Sequence, residues 1–187
     1  NIVFDSVTPW KGIYIIIKNK GESKLHFVVI KNTQALSDGL LRLTGAVNFY
    51  NSNITIKDSK IIGTIAEDAL NIINSDFTIE RSEIGRTVSD AFDSDFSNGV
   101  ILDSSFYDVG GDAVDFSGSE INIKKSEFKN IRDKAISVGE STNINIQDTV
   151  ISDVGVGIAS KDGSKVFASN VNIKNYSLYA VMAYSKK

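Results

Sequence analysis

Cysteine is absent from the 187 residues, and proline, histidine, tryptophan and methionine occur once each. Without cysteine there is no disulfide framework, no thiolate metal site and no cysteine nucleophile. The single histidine, His26, lies in the strand-like run Lys24-Leu-His-Phe-Val and reads as an outward surface residue; no metal-His motif is present. No sign of charge is in excess: 20 basic against 23 acidic residues leave −3, with an isoelectric point near 5.2. Such a balance gives no support for nucleic-acid binding. Long apolar runs are missing too. Ile13 to Ile17 is far too short for a membrane span. The chain opens Asn-Ile-Val, with neither initiator Met nor signal peptide, which predicts a piece of a larger, exported precursor. Gly155-Val-Gly157 lacks the third glycine of a dinucleotide loop, and no phosphate loop or nucleophile elbow occurs.

What is present is the vocabulary of short strands and turns: Ile, Val, Phe, Ser, Asn, Asp and Gly. It recurs with a fixed period. Ala69, Ala91, Ala113, Ala135 and Gly157 are spaced 22 apart, and the steps from Ala46 and to Ala180 are 23. An apolar residue follows each: Val47, Leu70, Phe92, Val114, Ile136, Ile158, Val181. A second piece alternates, as in Ile54-Thr-Ile56, Phe77-Thr-Ile79, Val100-Ile-Leu102, Ile121-Asn-Ile123 and Ile144-Asn-Ile146. A third carries Ile61, Ile84, Phe106, Phe128, Val150 and Ile173. Alternation that resets every few residues at Ser, Asn, Asp or Gly excludes amphipathic helices.

Three strands per repeat, stacked parallel on the next repeat, make an all-β solenoid: a right-handed parallel β-helix of about seven coils of about 22 residues. One domain over 1–187 is expected, with an irregular, insertion-bearing N-terminal coil (1–45) and regular coils over 46–187. Trp10 is expected to cover the first coil. The triplets Asn51-Ser-Asn53, Asn74-Ser-Asp76 and Phe96-Ser-Asn98 predict a corner with side-chain hydrogen-bond ladders. The chain ends just after the strand Ala180–Tyr184 with Lys186-Lys187 and no amphipathic helix, so end-to-end or flanking-domain contacts are expected at the last coil.

The small-apolar start, the Asn-Ser corner and the Ile-x-Ile strand together resemble the pectate-lyase-like β-helix superfamily. Trp10-Lys-Gly-Ile13, Gly45-Ala-Val-Asn-Phe-Tyr50, Ser89-Asp-Ala-Phe-Asp-Ser-Asp-Phe-Ser97 and Gly111-Asp-Ala-Val-Asp-Phe-Ser-Gly118 look like the β-helix regions of bacterial proteins with CotH-type or lamin-tail-like segments. That resemblance implies an exported or cell-surface bacterial protein.

The candidate chemistry lies in stacked acids. Asp68, Asp90 and Asp112 share one repeat position on three coils, with Lys134 on the fourth. Asn71, Asp93, Asp115 and Ser137 share another, and Asp95 adds a further carboxylate. Like charges about 4.8 Å apart repel by roughly 1 kcal/mol in water and by more when desolvated. A bound cation, raised pKa values or neighbouring Lys and Arg would offset this. One expectation is therefore a Ca²⁺ or cationic-group site made by Asp90, Asp93, Asp112 and Asp115. The other is that these acids hydrogen-bond backbone NH groups at coil corners. As a binding surface the set is Asp68, Asp90, Asp93, Asp95, Asp112 and Asp115, with polysaccharide as the candidate partner. As an enzyme, paired carboxylates would hydrolyse a glycosidic bond, with Asp93 and Asp115 the carboxylate candidates, or Lys134, Lys161 or Arg132 would serve a lyase as base, with Ca²⁺ to neutralise a uronate.

Overall fold

The computed structural model describes residues 1–185; Lys186 and Lys187 lie outside the described residues. Among the described residues there are eighteen strands and no helix, so no helix is long and apolar enough to cross a membrane. All strands but two belong to one continuous parallel ladder wound into coils. The expected repeat is the structural repeat. Val47, Leu70, Phe92, Val114, Ile136, Ile158 and Val181 stand in register on successive coils, and Ile13 precedes them. That first face therefore has eight rungs, one more than the coil count read from sequence. The second face runs through Asn98–Leu102 and its mates, the third through Ser105–Val109 and its mates.

Each coil turns its corners with a residue in the left-handed region. At the first corner this is Asn51, Asn74, Phe96 and Gly118, at the second Asp58, Arg81, Asp103 and Lys125. The next residue is Ser or Thr, and its hydroxyl does two jobs. It donates to the carbonyl two residues back, as Ser104 Oγ does to Leu102 O at 2.8 Å, and it accepts the backbone NH of the coil before, as from Ser82 N at 3.1 Å. The same pattern links Ser52, Ser75, Ser97, Ser119 and Thr142 at the first corner, so the anticipated ladder is present. It satisfies amides that a turning strand cannot pair within the sheet. Ser104→Ala leaves the Ser82 amide buried without an acceptor, and a loss of about 1–2 kcal/mol in chemical denaturation is expected; an unchanged midpoint would show that the ladder carries no stability.

The core is a stack of Ile, Val, Leu and Phe inside the coil, with Phe92, Phe106, Phe116 and Phe128 fully buried. Two sequence assignments shift by one residue. On the second face Gly99 and Ile101 point inward, in register with Phe77 and Ile79, whereas Val100 faces out. On the third face Ile151, not Val150, continues the column of Phe128. At the N-terminal end one strand, Ile13–His26, runs on through the polar residues 18–23, with an irregularity between Ile16 and Gly21. Trp10 packs on the first coil, as expected, and donates Nε1–H to Lys31 O at 2.8 Å.

Candidate functional site: an acidic face

The connections between strands from Gly45 to Lys165 are two to four residues long. Longer segments in the described chain precede them: residues 5–12, and the residues between Thr33 and Gly45, which carry an antiparallel hairpin, Ser37–Asp38 with Leu41–Arg42. This is the N-terminal insertion expected from sequence. It borders Glu67 across a hollow of about 280 Å³, and Thr44 at its base hydrogen-bonds Asp68 and Tyr50. Otherwise the connections beside the first face are short, and of its acids Asp68, Asp90, Asp93, Asp95 and Asp115 stand on strands, Asp112 in the turn before one.

The structure divides the predicted acids into two functions. Asp68, Asp90 and Asp112 line the corner where each coil enters the first face. Asp90 Oδ1 accepts Asp112 N–H at 2.8 Å, and Asp112 Oδ1 accepts Lys134 N–H at 2.9 Å. Each of these two carboxylates thus holds the start of the coil above it. Lys134, next in the series, sends Nζ back to Asp112 at 3.1 and 3.3 Å and sideways to Asp133 at 2.6 Å. Burial alone would lower the Lys134 pKa, but Asp133 and Asp112 together raise it, so the ammonium is fixed.

The second set occupies the middle of the face. Asn48, Asn71, Asp93, Asp115 and Ser137 form one outward column, in register coil by coil. Asn71 Nδ2 donates to Asp68 Oδ2 at 3.0 Å and to Asp93 Oδ2 at 2.9 Å, joining the two sets. Asp95 stands one pleat further along, held by the Ser117 hydroxyl. Lys161, two coils above, reaches back across the intervening coil to place Nζ 3.4 Å from both oxygens of Asp115. The stem passes over Gly139, where a Cβ would lie 3.4 Å from Lys161 Cε, in ordinary van der Waals contact.

The expected four-carboxylate cation site does not assemble. Asp90 and Asp112 belong to the corner column with an oxygen committed to backbone NH, whereas Asp93 and Asp115 belong to the other column. Among the described residues no three His, Asp or Glu side chains are placed to share an ion. For Asp90 and Asp112 the corner hydrogen-bond alternative is the one observed.

Burial governs the electrostatics. Asp68 and Asp112 are only 4% and 6% exposed. Burial pushes Asp68, Asp90 and Asp112 up to about 6, against the opposing hydrogen bonds and, for Asp112, the Lys134 ammonium. Asp93 goes furthest, to about 8: burial is joined by Asp68, Asp95, Asp115 and Asp90, with no opposing cation among the causes. At neutral pH Asp93 is mostly the neutral acid. Two features of the face escape sequence reading. Lys161 acts at a distance of 46 residues, and Phe96 is 62% exposed at the corner beside Asp95. Small residues at Ser137 and Gly139 were the available signal for the first. The break in the Asn51, Asn74 column was the signal for the second.

A continuous parallel ladder, three strands to the coil, with serine-lined corners and acids carried on one face, defines a β-helix solenoid. The family model described as a right handed beta helix region matches residues 45–187, and the chain belongs to that family. Among solved structures the chain is similar to pectate lyase Pel9A, with a TM-score of 0.45 and 9% identity, covering 95% of this chain and 69% of that one. It is also similar to the gp42 tailspike of Acinetobacter phage vb_AbaP_AS12, with a TM-score of 0.44 and 11% identity, covering 99% of this chain and 44% of that one. No curated protein matches.

Proposed function

We propose that the chain is a non-catalytic β-helical binding module, of an exported or surface bacterial protein, whose acidic first face takes a polysaccharide. The likeness of its repeat motifs to the β-helix regions of CotH-type and lamin-tail-associated exported proteins agrees with that setting. The observation that carries the reading is the shortness of the connections around the face. Asp93 and Asp95 on one strand and Asp115 on the strand paired with it lie in coils whose connections are two to four residues long, so among the described residues no long loop of these coils encloses a scissile bond. The half-buried Asp93, Asp95 and Asp115 offer a chain that crosses the face a short row of hydrogen-bonding groups. Lys134 is a poor lyase base, because its ammonium is held by Asp112 and Asp133.

The second reading is a glycoside hydrolase. It is favoured by Asp93, which keeps a proton near neutrality beside Asp115, as a general acid next to a carboxylate would. An array of polyuronates, neutral and amino glycans, scored for retention and cleavage with and without Ca²⁺, separates the two. Retention without cleavage is expected. Cleavage would replace the module by the enzyme, and retention that requires Ca²⁺ would restore the cation site.

A further inference from the structure

Three observations on the first face concern what it binds. The first is that the face already holds an ammonium that is foreign to its coil. Lys161 spans two coils to sit on Asp115, and its side chain is buried along the way. The next member of the outward column, Ser137, is 0% exposed, with a hydroxyl that has no hydrogen-bond partner. Below the pair, Asn71 is 2% exposed and its Oδ1 is likewise unpartnered. The Asp93–Asp115 pair is therefore bounded on both sides by buried polar atoms without partners, and one of its carboxylates is covered by the chain's own cation.

The second observation is Phe96. Its positions one and two coils earlier are Asn74 and Asn51, linked by Asn74 Nδ2 to Asn51 Oδ1 at 2.7 Å. Asparagine tolerates the left-handed region; phenylalanine does so at a cost of about 1–2 kcal/mol. At φ 50° Phe96 ends the amide ladder and lays its ring over Gly118, where a Cβ would lie 2.7 Å from Cδ1. The chain thus gives up a ladder step to keep an exposed ring next to Asp95. The third is the sign of the charge. Glu67, Asp68, Asp133 and Glu140 surround the same face, and Glu140 acts on Asp95. A polyanion is repelled from it.

We propose that the ligand of this face is a polymer of unacetylated amino sugars, its ammonium groups on Asp95 and Asp115, a hydroxyl on Asp93 and a pyranose C–H face on the Phe96 ring. The proposal rests on the polysaccharide-binding reading and narrows it. Asp95 and Asp115, on paired strands about 4.8 Å apart, give cationic sugars two partners, Asp93 gives a hydroxyl a hydrogen-bond partner, and the aromatic face supplies stacking that a bare cation does not use. Lys161 is the internal competitor: a ligand ammonium at Asp115 displaces it.

The test is retention of the whole chain at pH 6 on immobilised polyglucosamine, with N-acetylated polyglucosamine, polygalacturonate and spermine as competitors. Polyglucosamine alone is expected to retain and compete well. Phe96→Asn, which restores the amide column and therefore folds at least as well by circular dichroism and melting, is expected to weaken retention about tenfold. Lys161→Met, which keeps the stem and removes the charge, is expected to strengthen it several-fold. Equal retention on the N-acetylated polymer, or preference for polygalacturonate, overturns the amino-sugar assignment and leaves polysaccharide binding standing. Competition by spermine as strong as by the glycan, with no effect of Phe96→Asn, overturns the assignment by making the face a general cation site. Retention on no glycan of the array overturns both readings.

Discussion

Raising the pH from 5 to 9 lowers the melting temperature of this β-helix, and Asp93→Asn removes about half of the loss. In an unfolded chain an aspartate titrates near 3.8; in the fold Asp68, Asp90 and Asp112 titrate at about 6 and Asp93 at about 8. The folded state therefore binds more protons than the unfolded one between these values, and stability falls as pH rises. The contribution is whole below about pH 4, declines through 6 as the corner acids ionise, and is gone above 8 when Asp93 does. Taken alone, a displacement from 3.8 to about 8 is roughly 5–6 kcal/mol between the two protonation states. Neighbouring acids titrate together and share it, so a net gain of about 2–3 kcal/mol at pH 8 is expected for Asp93→Asn. That is a rise in Tm of roughly 5–10 °C for a chain of this size. Asparagine suits the position sterically, because Asn48 and Asn71 already occupy the two coils below it, and an amide oxygen at 93 can accept from Asn71 Nδ2 as the carboxylate does. Thermal melts of both proteins across this pH range decide the matter. A wild-type Tm that is flat or rises with pH would show that water reaches these carboxylates freely.

The same residues show how far the sequence could be read. The 22-residue spacing placed Val47, Leu70, Phe92, Val114, Ile136 and Ile158 in one column, because a parallel ladder turns constant spacing into vertical contact. Serines at the corners were legible for the same reason. The misreadings came where two apolar residues stand side by side. Val150 and Ile151 both suit an inward position, and alternation alone cannot choose between them. The corner residue decides: Thr149 occupies the place of Ser126, so the inward position falls two residues later, at Ile151. On the acidic face, the repeat showed which acids share a column but not what each oxygen is bound to. Asp90 differs from Asp93 because one faces the amide of the coil above and the other faces a neighbouring acid. The reach of Lys161 over two coils has no counterpart in a local pattern.

The other misreading carries the second large effect. By the Ile-x-Ile pattern, glycine at 99 is a gap in the second-face column Ile54, Phe77, Gly99, Ile121, and filling it looks like a repair. Gly99→Ile is instead expected to destabilise by about 3 kcal/mol or more. The space is taken from below. A Cβ on Gly99 would lie 2.1–2.3 Å from three atoms of the Phe77 ring. That ring is fixed edge-on to Phe92 at 5.0 Å and stacked with Phe116 at 6.4 Å, so it has no free direction in which to move. The coil of Gly99 also carries Ser94 inward, between Ile72 and Phe116, with its hydroxyl unpartnered. Two small residues on one coil thus accommodate three aromatic rings on three coils. Overpacking of a close-packed interior costs roughly 1–3 kcal/mol and more when backbone must shift. Phe77→Ile alone leaves a cavity and loses the edge contact, for roughly 2–3 kcal/mol. Made together, Phe77→Ile and Gly99→Ile place isoleucine at every position of the column from Ile54 to Ile121, and the cost of each removes much of the cost of the other. A double-mutant cycle in urea should return a favourable coupling of about 2–3 kcal/mol. Additive losses would show that the ring and the glycine do not share one space, and that Gly99 serves the backbone alone.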